Sequence, residues 1–149
     1  MTLFLSPDTP MRTLAIDLGT RRVGLALSDE GGRFATPYEV AQVTAPEQAI
    51  DRALDVIDKE GVEQVVLGLP LNMDGSEGPR AQSTRAFARN LAQKTPLPIV
   101  FWDERLSTSA VTRMLIEADT RRDKRAAVVD KLAASYILQG FLDRLRISP

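Results

Sequence analysis

LAIDLGTRRVGLALSD, running from Leu14 to Asp29, holds two short aliphatic runs around a polar turn, and the fold is read outward from it. Arg12 to Asp17 and Val23 to Ser28 each suit a strand, and Gly19-Thr20-Arg21-Arg22 between them suits a turn, so the pair predicts an antiparallel hairpin. Gly31-Gly32 then breaks the chain before a third extended stretch, Arg33 to Val43, which Pro37 confines to a sheet edge. Thr44-Ala45-Pro46-Glu47 has the pattern of a capping box with proline in the first turn. The helix it opens extends to about Glu60, with Ile50, Leu54 and Ile57 on its inner face, and Gly61 ends it.

The alternation changes in the second half. Gln64 to Leu69 (QVVLGL) and Pro98 to Trp102 (PIVFW) are continuous apolar runs of the kind buried in parallel sheets. Between them lie a Gly/Pro/Asn loop, Pro70 to Pro79, and a helix, Arg80 to Lys94, with Phe87 and Leu91 inward. A helix from Ser107 to Ala118 follows, with Val111, Leu115 and either Met114 or Ala118 inward, then a charged loop, Asp119 to Arg125, and a last helix from Ala126 to Leu145. The order β-β-β-α-β-α-β-α-α predicts an α/β domain: a mixed sheet with antiparallel first strands and helices on both faces. One domain spans 12–149, and residues 1–11, with Pro7 and Pro10, read as a loose leader within which Met11 is an alternative start.

Composition narrows the chemistry. The 149 residues include no cysteine and no histidine, which excludes disulfides, thiol nucleophiles, Cys/His zinc sites, Ser-His-Asp triads and imidazole acid-base catalysis. Carboxylates, hydroxyls, Lys, Arg, Tyr, backbone dipoles or an oxygen-held metal remain. The net charge of −1 hides an asymmetry: Glu39 to Glu63 carries seven acids and two bases, while Arg80 to Arg125 carries ten bases and five acids. Such blocks are either solvated faces of opposite sign or a positive field suited to an anionic ligand. No apolar run approaches the ~18 residues of a membrane span, and the start lacks a basic signal-peptide region, so a cytoplasmic protein is expected.

In open α/β sheets, ligands gather beyond the carboxyl ends of strands. Asp17 closes the first strand there, and Asp103 and Glu104 close the last. Singly, each reads equally as a turn or cap acid. Asp130 is less easily dismissed, because Ala126, Ala134, Ile137 and Phe141 share its helical stripe while Lys131, Ser135, Gln139 and Asp143 form the wet one. A carboxylate on an apolar stripe is paired, coordinated or protonated. It is either a helix N-terminal acid or an ion-pair partner, or a third ligand beside Asp17 and Glu104 for one or two Mg²⁺ or Mn²⁺ ions. Arg121, Arg122, Lys124 and Arg125 in the loop, and Arg85 and Arg89 one helical turn apart, are candidate contacts to a nucleic-acid backbone.

DLGT at Asp17 to Thr20 also opens the phosphate loop of the actin, sugar-kinase and chaperone ATPase superfamily, whose nucleotide sites need two such domains, and 149 residues supply one. Taken with VVLGLPLNMDGSEGP (Val65 to Pro79), FWDERLSTSAV (Phe101 to Val111) and DKLAASYILQGFL (Asp130 to Leu142), the opening motif resembles the YqgF/RuvX family of Holliday-junction-resolvase-like nucleases. The resemblance covers the chain from Thr13 onward. It implies a ribonuclease H-like fold, Asp17, Glu104 and Asp130 as metal-binding catalytic carboxylates, and a role in maturing the 5′ end of 16S rRNA or in junction resolution. Asp103 stays open as the alternative to Glu104, since adjacent residues of a strand face opposite sides. Asn72, in the long loop, is a candidate substrate contact or part of a plain connector, and Trp102 is either a stacking surface or core.

These readings predict a metal-dependent phosphodiesterase acting on structured nucleic acid, with Arg105 or the loop basics stabilising phosphate charge. Its partners would be pre-rRNA or branched DNA, and ribosomal precursor particles, for a monomer or homodimer. The competing expectations are a four-way DNA junction resolvase working as a dimer, a non-catalytic nucleic-acid-binding assembly factor, and, more distantly, a nucleotide binder.

Overall fold

The computed structural model describes residues 11–106 and 122–147, the side chains of 122–131 and of 146–147 excepted. Its elements are β1 (Thr13–Leu18), β2 (Arg22–Ser28), β3 (Ala35–Gln42), α1 (Pro46–Glu60), β4 (Gln64–Leu69), α2 (Pro79–Ala92), β5 (Ile99–Asp103), a 3₁₀ turn (Glu104–Leu106) and α3 (Arg122–Ile147). The expected hairpin is present: β1 and β2 are antiparallel, with Asp17 opposite Gly24 and Leu18 opposite Val23. β4 then lies parallel to β1 and β5 parallel to β4, which makes the sheet order β3-β2-β1-β4-β5. The mixed sheet anticipated from the element order is thus the one observed.

Strand alternation divides the core into two layers. On one face Leu14, Ile16, Val23, Leu25, Val65 and Leu67 pack against Ala49, Ile50, Ala53 and Val56 of α1 and Phe87 and Leu91 of α2. On the other, Ala15, Ala26, Val66 and Trp102 meet Ala134, Ile137, Leu138 and Leu142 of α3. The α3 face of β1 and β2 is built from alanines because a helix lies directly across it. Trp102 is core rather than an exposed platform, its ring 6.3 Å from that of Phe141 and edge-on to it.

β3 is the expected edge strand, and Pro37 is accommodated beside a bulge. Leu25 pairs with Glu39 and Ala26 with Pro37, which leaves Tyr38 as the extra residue. Its hydroxyl donates to Glu60 Oε2 at 3.0 Å, tying the edge to the end of α1.

Three local expectations are corrected. α1 begins one residue later than the capping-box pattern implied: Ala45 is the N-cap with no side-chain bond, and it is Gln48, not Glu47, whose Oε1 accepts from the Thr44 amide at 2.6 Å. The inner face is also wider than expected: Ala49, Ala53 and Val56 join Ile50 in the core, and Leu54 and Ile57 pack against it partly buried. α3 starts at Arg122, so Arg122, Lys124 and Arg125 belong to a helix rather than a loop, consistent with the good helix propensity of Arg and Lys. Arg121 and the helix expected over Ser107 to Ala118 lie outside the described residues. Among the described residues, no helix is long and apolar enough to cross a membrane.

The β2–β3 connection supplies an acid-sensitive element. Asp29 Oδ1 accepts from the amides of Arg33 at 2.8 Å and Phe34 at 3.1 Å, and these bonds hold its carboxyl below the ordinary value. A carboxyl lowered in the folded state stabilises the fold above its unfolded pKa, and that contribution is lost as pH falls through the folded value. Urea midpoints of wild type and Asp29→Asn should therefore differ at pH 7 and converge as the pH falls below about 4. A difference that widens on acidification would contradict this role.

Candidate active site

Asp17 is the fifth residue of β1 and shares its face with Ala15, toward α3. Trp102 faces the same side from β5, and Glu104, two residues on, follows it there as the sheet ends in the 3₁₀ turn. Both carboxylates are buried, Asp17 8% and Glu104 7% exposed. β4 runs between them, and the residue that follows the Ile16–Leu67 rung on each strand is Asp17 on β1 and Gly68 on β4. With strands about 4.8 Å apart, the backbones carrying the two acids are roughly 10 Å apart. The longer Glu104 side chain closes part of that gap. A Cβ built on Gly68 would lie 3.4 Å from the Glu104 carboxyl carbon and 2.5 Å from Ile137 Cδ1. The carboxyl group of Glu104 thus sits over β4, in a space that any larger residue at 68 would fill.

α3 crosses this space from the carboxyl ends of the strands toward the far end of the sheet. Ile137 lies against Gly68, and Gln139 reaches the start of β3, accepting from the Ala35 amide at 2.9 Å and donating to Arg33 O at 2.9 Å. Asp130 is two helical turns before Ile137, about 10 Å along the axis, which carries its backbone toward the strand ends where Asp17 and Glu104 lie. Its side chain is outside the described residues. Among the described residues, no three acidic side chains converge on one point; Asp17 and Glu104 are the two acids buried on this face.

Asp103 turns the other way. Arg105 grips it with Nε 3.1 Å from each carboxylate oxygen and Nη2 2.7 Å from Oδ2, and the fork lowers the Asp103 carboxyl below its ordinary value. Of the two acids left open by the sequence, Glu104 is the one buried over β4. Arg105, expected at the phosphate, is held by Asp103. Asn72 is exposed and its amide donates to Ser76 Oγ at 2.9 Å, closing its own loop. Arg85 and Arg89 are not brought to the carboxylates. They line a groove of about 270 Å³ with Ile99 and Phe101, and the Arg85 guanidinium lies 5.0 Å from the Phe101 ring centre while pairing with Glu77. Ile99 belongs to the core layer opposite α3, so this groove opens on the other face of the sheet.

The sequence reading missed two contributors. Gly68 interrupts the run QVVLGL, and a glycine inside a strand marks a close approach by other atoms; that was the available signal. Arg80 donates to Leu18 O at 3.2 Å, behind Asp17, and nothing in its spacing announces the contact.

Comparison with known proteins places these features in a family. The family model described as "RuvX: Holliday junction resolvase" matches residues 11–144. A protein of Paramagnetospirillum magneticum described as "Putative pre-16S rRNA nuclease" is 55% identical over 141 residues, 95% of this chain and 91% of the relative. One of Methylocella silvestris with the same description is 56% identical over 135 residues, 91% of this chain and 84% of the relative. Among solved structures, the Thermus thermophilus RuvC complex with a Holliday junction superposes with TM-score 0.57 at 14% identity, covering 93% of this chain and 98% of that one. The fowlpox virus Holliday junction resolvase gives 0.51 at 15%, covering 90% and 99%. At such identities the structures speak for the fold.

The space at Gly68 generates a test. Ile137 is fully buried and has little room to retreat, so Gly68→Ala should cost about 1–3 kcal/mol in urea unfolding through overpacking. Adding Ile137→Val, which removes the Cδ1 atom in the way, should recover part of that loss in the double variant. Additive losses in the two substitutions would show that they do not share the space.

Proposed function

Because the chain belongs to the RuvX family of nucleases, we propose that it hydrolyses phosphodiester bonds in structured nucleic acid, with the 5′ region of pre-16S rRNA as substrate and Asp17, Glu104 and Asp130 as the catalytic carboxylates. The observation that supports this most is the burial of Asp17 and Glu104 on one face at the strand ends, with the missing side chain of Gly68 making room for the Glu104 carboxyl group over β4. Ionised carboxylates are acceptors only, and they repel a phosphate. Two of them beside an anionic strand therefore call for a cation in between. The donor set is all oxygen, which suits Mg²⁺ or Mn²⁺. Such a cation, once bound by Asp17, Glu104 and Asp130, supplies positive charge to the scissile phosphate and acidifies water.

The protein's own contribution is placement. Asp17 is fixed by the central strand of the sheet and Glu104 by the first turn after β5, so neither carboxylate has to be ordered when substrate arrives. Burial strengthens their hold on a cation relative to an exposed pair. With no histidine in the chain, the proton released from water leaves through a carboxylate or through solvent. Arg122, Lys124 and Arg125, in the first turn of α3, and Arg121 before it would hold the nucleic-acid backbone from the Asp130 side. We place the protein in the cytoplasm, with ribosomal precursor particles, as monomer or homodimer.

A four-way DNA junction is the second reading, favoured by the family's description. Purified wild type and Asp17→Asn should be incubated with a 5′-labelled precursor-rRNA fragment and a synthetic four-way junction, each with Mn²⁺, Mg²⁺ or EDTA. The expected result is metal-dependent cleavage of RNA by wild type. Asp17→Asn should cleave at least about 100-fold more slowly while its melting temperature and nucleic-acid binding stay near wild type. Paired symmetric cuts in the junction would transfer the substrate to DNA. Binding without cleavage of either substrate would turn the protein into an assembly factor, and normal cleavage by Asp17→Asn would remove that residue from the site.

A further inference from the structure

We infer that Arg105 is a positioning residue, which with Asp103 clamps the 72–76 turn beside Glu104 so that the turn presents an ordered edge to the substrate strand. Three features of the structure converge on this. Arg105 is spent on protein groups: its Nε and Nη2 hold both oxygens of Asp103, its own amide donates to Asp103 Oδ1 at 2.9 Å, and its Nη1 donates to Met73 O at 3.3 Å. A guanidinium already matched by a carboxylate fork has little charge left for a phosphate.

The turn, in its turn, is shaped to receive that clamp. Gly75 donates to Asn72 O at 2.8 Å, Asn72 to Ser76 O at 2.9 Å and Ser76 to Asp74 Oδ1 at 2.9 Å. Gly75 has φ +89°, a value that glycine adopts freely, and a Cβ there would stand 3.5 Å from Arg105 Nη1. Glycine therefore serves the turn, and the guanidinium lies at contact distance over it.

Finally, what the clamp holds still is an apolar edge. Met73, whose carbonyl Arg105 holds, is 90% exposed, and Leu106, the residue after Arg105, is 63% exposed. Mobile apolar side chains at such positions would add ordering entropy to every binding event, and fixing their backbone in advance removes that cost. Since Arg105 follows Glu104 directly, the edge lies next to the candidate site. The clamp acts on how substrate is held, and Asp103 is its other half rather than a ligand.

The kinetic arm of the test rests on the nuclease reading; the exchange arm does not. Asp103→Asn, Arg105→Gln, Arg105→Lys and the double variant Asp103→Asn/Arg105→Gln should be compared on the labelled precursor-rRNA fragment with Mn²⁺. If the pair works as one unit, all four raise KM by about the same factor, on the order of tenfold, with kcat within about threefold of wild type. Lysine fails to rescue because it lacks the fork. Hydrogen exchange at the Gly75 and Ser76 amides should accelerate in every variant. Loss of kcat in Arg105→Gln with Asp103→Asn near wild type would return Arg105 to the phosphate, and loss of kcat in Asp103→Asn alone would make Asp103 a ligand. Unchanged exchange in all variants would overturn the clamp even where no substrate is cleaved.

Discussion

Two carboxylates are buried on one face of a sheet at the strand ends, where burial is costly for a charge, and much of the architecture is arranged to keep them there. Asp17 is committed by its strand: β1 is central, paired on both sides, and its alternation leaves the fifth residue no other face. Glu104 is committed by the chain turning into a 3₁₀ segment as soon as β5 ends. Gly68 supplies the room and α3 the roof. The sheet pays for nothing here by itself; the apolar layers on both sides hold the strands that hold the acids.

The same economy of faces separates two kinds of arginine. Arg105 is bound to Asp103 and to a backbone carbonyl, so it shapes the rim of the site. Arg85 stacks on Phe101 and pairs with Glu77 on the opposite side of the sheet, where it covers the edge strand. Counting bases along the chain treats these as one positive block. In space they have different partners and different surroundings.

The succession of elements along the chain, the opening hairpin and the burial of QVVLGL were legible, because period-two patterning and turn residues report local structure directly. So was the placing of Asp17 and Glu104 at the carboxyl ends of their strands, since strand ends in a parallel sheet gather at one edge. The choice between Asp103 and Glu104 was not, because it depends on where β5 stops, one residue later than its apolar run suggests. Arg105 and Asn72 were identified as polar residues near the site, but their partners are each other's neighbours in space: a carboxylate two residues away, a carbonyl thirty-two residues away, a serine four away. Hydrogen-bond partners of exposed side chains leave no periodic trace in sequence. The inner face of α1 was legible only in part: Ile50, Leu54 and Ile57 do reach the core, but the small residues Ala49 and Ala53 that lie deepest give a weak hydrophobic signal.

The placement of α3 has a consequence for the protein's own synthesis. Asp17 is made early, yet the helix that covers its face lies more than a hundred residues downstream. At ordinary ribosomal speeds that interval is on the order of ten seconds. Throughout it the nascent hairpin shows water a face made of Ala15, Ala26 and a charged carboxylate, a surface with little to stick to and nothing yet to desolvate. The expensive burial is deferred until the covering helix exists, so the site and its cost appear together only once α3 has been made.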